Sequence, residues 1–387
     1  MRRMLKVIAG LGVLAALAWF LAAHQNQIRH SVVDRDSIAY WAAAKILLQH
    51  QNPYNAQSVL ALEQHQGYGL TKPLVLRTPP WSLWIFAPLG MLNVGWAWVV
   101  WMVALLAALL ASMRICWGLY GDSGKPPAAF LVVGYLFAPI PACLAAGQIG
   151  IVLLLGVVLF LRYEQRHPFL AGTVLLIPFV KPHLFSAFWL IMALRVVMRK
   201  QWSLAAGFLA ALAVAVAVAL RYDPGVFSDY QQMVRQAAIQ YEFIPALSGV
   251  VRLIFFRRFF WVQFVPMGAA VLWALWYYRA NWQSWSWPAH GPALLVASSL
   301  AAPYAWLSDE AVVLPAVLLG VLWIYRVRKK LTLTSNLAIF TFACLEFLLL
   351  LLLRARIPFA TGIYFWSSLL WTAWYWYARR FRERAKA

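Results

Sequence analysis

Apolar runs separated by short polar breaks make up most of the chain. A helix needs about 20 apolar residues to cross the hydrocarbon of a bilayer. With tolerance for shorter runs, twelve stretches qualify: 5–23, 95–116, 128–145, 149–162, 168–181, 183–198, 203–221, 262–279, 292–306, 310–326, 333–353 and 359–378. The piece from Trp81 to Met91 is shorter still. It is flanked by Pro79, Pro80 and Pro88 and is expected to be interfacial or re-entrant. The first stretch follows Arg2, Arg3 and Lys6 in the manner of a signal peptide. It runs into Ala22, Ala23 and His24 without a convincing cleavage site, so it reads as a retained signal-anchor helix.

Composition agrees with this pattern. Of 387 residues 64% are hydrophobic and only 12% charged, against about 25% charged in soluble domains. Lipid is the solvent this chain is built for. The expected fold is an all-α integral membrane bundle of about twelve transmembrane helices, forming one domain over residues 1–387. The net charge of +21 would suit a nucleic-acid binder, but its distribution argues against one. With the N-terminus in the cytoplasm, twenty of the 33 basic residues and three of the 12 acids fall on the cytoplasmic side. This is the positive-inside bias of a membrane protein, and no nucleic-acid partner is implied. Two long stretches, about 24–94 and 222–261, fall outside and are rich in Tyr, Trp, Gln and His. Long mixed loops are where function concentrates, which makes the outer face the working face.

Several polar groups gather on that face. Asp34 and Asp36 open the stretch that leads to Tyr40 and Trp41 after the first run. Two carboxylates at a membrane surface are placed for proton abstraction, because nearby low-dielectric material raises a carboxylate's pKa. The alternative is that Asp36 is the N-cap of the following helix. Gln148 precedes the fourth run, and Lys181, Pro182 and His183 form a turn between two runs. Arg77 stands before Pro79, Arg221 ends the seventh run, and Tyr304, Trp306 and Asp309 join the ninth to the tenth. Ionisable groups at span ends are costly unless paired or used. Lys181 either serves a ligand or snorkels to the interface. Outer cations running against the inside-positive trend suggest an anion, and a lipid phosphate is the natural one. Arg252, Arg257 and Arg258 look like an amphipathic helix on anionic headgroups. Glu346, within a span, reads as paired or protonated, and Cys116, Cys143 and Cys344 as packing residues. No nucleotide-binding glycine loop, HExxH or CxxC is present, and no metal-ligand spacing appears.

At these residues the sequence resembles glycosyltransferase family 87, polytopic enzymes of the GT-C fold that use polyprenyl-phosphate-linked sugars, typically mannose. The family's Asp-x-x-x-Tyr stretch and Pro-Tyr turn resemble Asp36 to Tyr40 and Pro53-Tyr54. Its Pro-Pro helix resembles Pro79-Pro80 to Pro88, its Gly-Gln resembles Gly147-Gln148, and its Lys-Pro turn resembles Lys181-Pro182. The later Pro303 to Trp306 and Leu314-Pro315 are also similar. The chain departs in having Thr78 where many members have Tyr, and Gly150 where many have Asn. The resemblance implies a catalytic Asp in the first outer loop, Asp36 with Asp34 second. It implies a hexosyltransferase of the bacterial plasma membrane that moves a sugar, with inversion, from a lipid-linked donor to a glycan or glycolipid acceptor. No cofactor is called for, and a divalent metal is left open. Lys181, His183, Arg77, Arg221 and Gln148 would meet the phosphate, and Tyr40, Trp41, Tyr304 and Trp306 the sugar or lipid. The rival readings are a flippase or transporter of lipid-linked saccharides, and a glycan ligase using a lipid diphosphate.

Overall fold

A computed structural model describes residues 36–69, 71–237, 246–328 and 364–382, which contain helices and no strand. The predicted crossings at 5–23 and 333–353 lie outside these residues, as do Asp34, Cys344 and Glu346. The chain divides into two compact units, residues up to 103 with 219–233, and residues 104–218 with 234–387.

In the first unit, helix α1 (Ser37–Leu48) pairs with α3 (Leu83–Gly90). Ala42, Ala43 and Ala44 are fully buried. A Cβ at Gly90 would lie 2.6 Å from the Ala44 carbonyl carbon. Small residues let two apolar helices approach closely enough for dispersion contacts to hold them. Tyr40 stacks flat on Phe86 at 4.4 Å and meets Trp101 edge-on at 5.5 Å. Between these helices, α2 (Ala56–His65) starts at Asn55, whose side-chain oxygen accepts the N–H groups of Gln57 and Ser58. That is a regular N-cap. The stretch predicted as an outer loop over 24–94 is therefore packed helix through much of its described part.

Two long apolar helices, α4 (Val94–Tyr120) and α10 (Trp202–Tyr222), are divided between the units. At 1.5 Å per residue α4 is about 40 Å long, enough to cross a bilayer. Its exposed Val100, Val103, Leu106 and Leu110 follow helical spacing, as a lipid-facing stripe requires. The short, polar α11 (Val226–Gln236) follows α10.

The second unit contains α5 (Ala128–Leu136), α6 (Pro139–Ala146), α7 (Gly150–Tyr163), α8 (Pro168–Val174) and α9 (Ser186–Met198). It continues with α12 (Leu247–Phe255), α13 (Val265–Ala280), α14 (Trp287–Leu300), α15 (Leu314–Arg328) and α16 (Tyr364–Arg379). The stretch Leu307–Val327 is buried throughout its most apolar window, and α15 packs against α5, α14 and α16. Near its far end Arg326 pairs with Asp122 at 2.7 Å.

Among the described residues, four stretches are long and apolar enough to cross a membrane: Val94–Tyr120, Trp202–Tyr222, Phe260–Ala280 and Leu307–Val327. Two bent pairs raise the number to six if each counts as one crossing. The chain is a multi-pass membrane protein, but the described residues do not reproduce twelve crossings. Within the described residues, part of the difference lies in the breaks. Residues 168–180 and 182–198 meet at 117°, and neither arm alone reaches the required 20 residues. The cause is Pro182, which lacks an N–H and forces the preceding residue out of the helical region. Lys181 takes φ −127° and ψ 68° there.

Candidate active site

The break at Lys181 points a cation at an acid. Lys181 Nζ donates to Asp309 Oδ1 at 2.6 Å, with the Asp309 side chain 3% exposed and that of Lys181 15%. Asp309 belongs to the 3₁₀ turn Leu307–Val313 that leads into α15. Its other oxygen accepts the backbone N–H of Trp306 at 3.1 Å. A carboxylate at this position also meets the positive end of the helix dipole. Both oxygens are thus engaged, and Asp309 holds Lys181 in place.

The surrounding backbone is fixed by side chains. Ser298 Oγ on α14 accepts the N–H groups of Ala187 and Phe188 at the start of α9. Such first-turn donors have no partner within their own helix. Gln263 donates to the Pro303 carbonyl at 2.6 Å and Ser248 to that of Ala301 at 3.4 Å, which anchors the segment carrying Tyr304 and Trp306. His183 meets the Tyr304 ring edge-on at 5.9 Å, and Phe264 does so from another side at 6.0 Å. Trp306 is 45% exposed.

The Gln148 segment joins the same cluster. The Cys143 thiol donates to the Gln148 carbonyl at 2.7 Å, and a methyl at Gly150 would overlap the Ser308 carbonyl. This explains the departure noted in the sequence. An asparagine side chain has no room where α7 begins against the turn that holds Asp309.

Arg252 is a residue the sequence reading placed wrongly. It is 3% exposed, 5.4 Å from the Phe260 ring centre, and close enough for its charge to act on Tyr304. Of the three arginines in this segment, Arg257 and Arg258 are exposed. Helix α12 is inverted relative to a soluble amphipathic helix, with Ser248, Gly249 and Arg252 inward and Ile254 and Phe255 outward. The polar pair Ser248 and Arg252, four apart, was the available signal.

The first unit holds Asp36, Arg77 and Arg221. Asp36 occupies the N-cap position of α1, but its side chain makes no capping bond. The cap alternative is therefore not realised. Beside it, Ser37, Trp41, Ala97, Trp98 and Trp101 line a small cleft of about 10 Å³. Ser37 Oγ and Trp98 Nε1 are buried there without a partner among the described residues. A cavity needs about 10–15 Å³ to hold one water, so this cleft has room for a single hydroxyl at most and not for a sugar. Tyr40 and Trp41 are 5% and 4% exposed, and Trp41 donates to the Leu92 carbonyl at 3.0 Å. They pack the unit instead of presenting a stacking face, against the expectation of a sugar contact. Arg77 and Arg221 are exposed.

The Pro53-Tyr54 turn is locked onto the Thr78-Pro79-Pro80 segment. Tyr54 Oη donates to the Thr78 carbonyl at 3.0 Å, and the Thr78 and Ser82 hydroxyls are 2.6 Å apart. Missed by the sequence reading, Glu63 is fully buried, with one oxygen accepting the Leu74 N–H at 3.2 Å and the other without a partner among the described residues. Burial pushes its pKa from the ordinary 4.5 to about 7, with the Leu74 N–H opposing the rise. Among the described residues, no three histidine, cysteine or carboxylate side chains are grouped to hold a metal.

Residues 78–346 match the model of glycosyltransferase family 87. The chain belongs to that family. The matched span includes Gln148, Lys181, His183, Tyr304, Trp306 and Asp309, while Asp36 and Tyr40 precede it. No curated protein and no solved structure matches the chain. A family 87 glycosyltransferase acts on a sugar donor and an acceptor in the membrane, and the Lys181 cluster lies in the part of the chain that carries the family signature.

Proposed function

We propose that this family 87 glycosyltransferase moves a sugar, mannose in the first instance, from a polyprenyl-phosphate carrier to an acceptor hydroxyl on the extracytoplasmic face of a bacterial plasma membrane. The observation that carries the reading is the Lys181–Asp309 pair at the break between residues 180 and 182, with His183 and Tyr304 beside it. An ammonium held by one carboxylate keeps further N–H donors for a phosphate oxygen. Charge-assisted bonds of that kind strengthen as negative charge develops on a leaving group.

In this mechanism the acceptor oxygen attacks the anomeric carbon and gives its proton to a carboxylate base, the role that the family resemblance gives to Asp36. The bond from that carbon to the phosphate oxygen breaks, and the polyprenyl phosphate leaves with the electron pair, its charge met by Lys181 and His183. One displacement inverts the anomeric centre. A general base typically contributes about 10²–10⁴-fold in rate. The test is purified protein in lipid with a polyprenyl-phosphate sugar and a glycolipid acceptor. Asp36→Asn is expected to abolish transfer at an unchanged melting temperature. Full activity in that variant overturns the assignment, and carrier translocation without bond cleavage supports the transporter reading instead.

A further inference from the structure

Helix α9 starts beside Lys181 and runs away from it, which puts Arg195 and Arg199 at its far end. Helix α14 runs the opposite way, since Ser298 near its end meets the start of α9. Its beginning, with Trp287 and His290, therefore lies at the Arg195 end. Here guanidinium groups sit on aromatic rings. Arg195 is 5.9 Å from the ring centre of Trp285, Arg199 is 4.4 Å from Trp282, and Arg379 is 5.3 Å from Tyr277. The rings form one cluster, with Trp285 4.7 Å from Tyr278 and stacked on His290 at 4.9 Å. Arg382 adds a fourth charge within electrostatic reach of Tyr277. Against these, Glu164 supplies one buried carboxylate near Arg195.

Arginines near an aromatic belt are ordinary in membrane proteins, but belt residues keep their polar atoms wet. In this cluster Arg195 Nε, Tyr278 Oη and Trp285 Nε1 are buried and have no partner among the described residues. Tyr278 and Trp285 are 4% and 9% exposed. Two of the three groups can only donate, so the cluster lacks acceptors and carries excess positive charge. A buried donor without a partner costs about 1–3 kcal/mol. An oxygen-rich anion would remove both deficits. Exposed apolar side chains flank the cluster, Val197, Met198 and Trp202 beside Arg199 and Trp376 and Tyr377 beside Arg379. They offer surface for acyl chains.

We infer that this end of the second unit is a binding site for an anionic glycerophospholipid. Its phosphate sits among Arg195, Arg199 and Arg379 and accepts from Tyr278 and Trp285, while its acyl chains lie along the flanking apolar residues. Basic pockets between membrane helices hold anionic headgroups in this way. On the orientation proposed above, the lipid belongs to the cytoplasmic leaflet, on the side away from the transfer site. The site is independent of the sugar-transfer reading, because its readout is lipid binding.

The experiment uses the full chain purified in neutral detergent, with native mass spectrometry and thermal unfolding. Phosphatidylglycerol, phosphatidylcholine and inorganic phosphate are titrated separately. Phosphatidylglycerol is expected to stay bound and raise the melting temperature, with little effect from the other two. Arg195→Gln with Arg199→Gln is expected to weaken its binding about 30-fold, from about fivefold per arginine. Arg257→Gln with Arg258→Gln is expected to leave it unchanged. Tyr278→Phe guards against a folding artefact. Without lipid it should match or exceed wild-type stability, because its hydroxyl has no partner to lose, and with phosphatidylglycerol it should gain less. Equal stabilisation by the two lipids, a full effect from inorganic phosphate, or unchanged binding in the Arg195/Arg199 variant would overturn the inference.

Discussion

Consider breaking the Lys181–Asp309 pair from one side. Asp309→Asn keeps the shape and removes the charge. The carboxylate now spends one oxygen on Lys181 Nζ at 2.6 Å and the other on the Trp306 N–H at 3.1 Å. An amide has one acceptor oxygen, so its NH₂ must face either the ammonium or the Trp306 N–H. One donor is left unmet, at about 1–3 kcal/mol, and the lost counter-charge brings the cost to about 3–5 kcal/mol. Lys181 is 15% exposed and can relax toward water, which favours the lower end of that range. Lys181→Met strands a carboxylate that is 3% exposed and should reach the upper end. Replacing both, Lys181→Met with Asp309→Leu, removes the buried charges together and should cost about 2 kcal/mol or less, because deleting a buried pair is milder than halving it. The measurement is reversible unfolding in mixed micelles, followed by tryptophan fluorescence and analysed as a double-mutant cycle. The double variant should be folded and inactive in transfer, separating what the pair does for stability from what it does for the phosphate. Single variants within about 0.5 kcal/mol of wild type, the usual range for surface changes, would mean that water screens the pair and that this reasoning is wrong.

Three further outcomes follow from the geometry. Gly150→Ala places a methyl against the Ser308 carbonyl and is expected to destabilise by about 1–3 kcal/mol, read in the same unfolding assay; a neutral result would mean that the start of α7 moves freely. Tyr54→Phe removes the bond to the Thr78 carbonyl and leaves a buried acceptor unmet, a loss of about 1–3 kcal/mol visible as faster proteolysis of residues 66–78. For Glu63 the folded pKa of about 7 lies above the ordinary 4.5, so the folded state keeps a proton that the unfolded chain releases. Stability should then fall as pH rises from about 4.5 to about 7 and level off above. Glu63→Gln should flatten this dependence in melting curves taken from pH 5 to 8, and curves parallel to wild type across that window would argue against the buried acid.

The sequence is most legible where one physical requirement acts alone. The long helices α4 and α10 were readable because only length and apolarity matter for a crossing. The Lys181 cluster was readable because ionisable groups at the ends of apolar runs need partners, although the identity of the partner was not. That partner is Asp309, 128 residues away along the chain. Periodicity could not foresee the 117° break, because runs on either side of a proline look alike whether they form two crossings or one broken one. The burial of Tyr40 and Trp41 was hidden for a related reason. An aromatic beside a functional acid is read as a ligand contact, whereas tight packing of Ala42 to Ala44 on Gly90 brings both rings into the core. Arg252 was misassigned because amphipathicity in lipid runs opposite to amphipathicity in water.

The placement of the charged cluster follows from a constraint on broken helices in an apolar setting. Wherever a helix stops inside such a unit, its free N–H and C=O groups need partners, since no water is at hand. Around the break at Lys181 the partners are side chains: Ser298 for Ala187 and Phe188, Asp309 for Trp306, Gln263 for Pro303 and Ser248 for Ala301. These bonds would be needed even in a protein with no activity. Once made, they also fix the one acid that can hold a lysine there and the one turn that can carry Tyr304. The phosphate-binding role proposed for Lys181 would therefore stand on a structural repair, with its geometry set by residues other than Lys181 itself. Substituting Ser298 or Gln263 should then disturb phosphate contact through the backbone, with the Lys181 and His183 side chains intact.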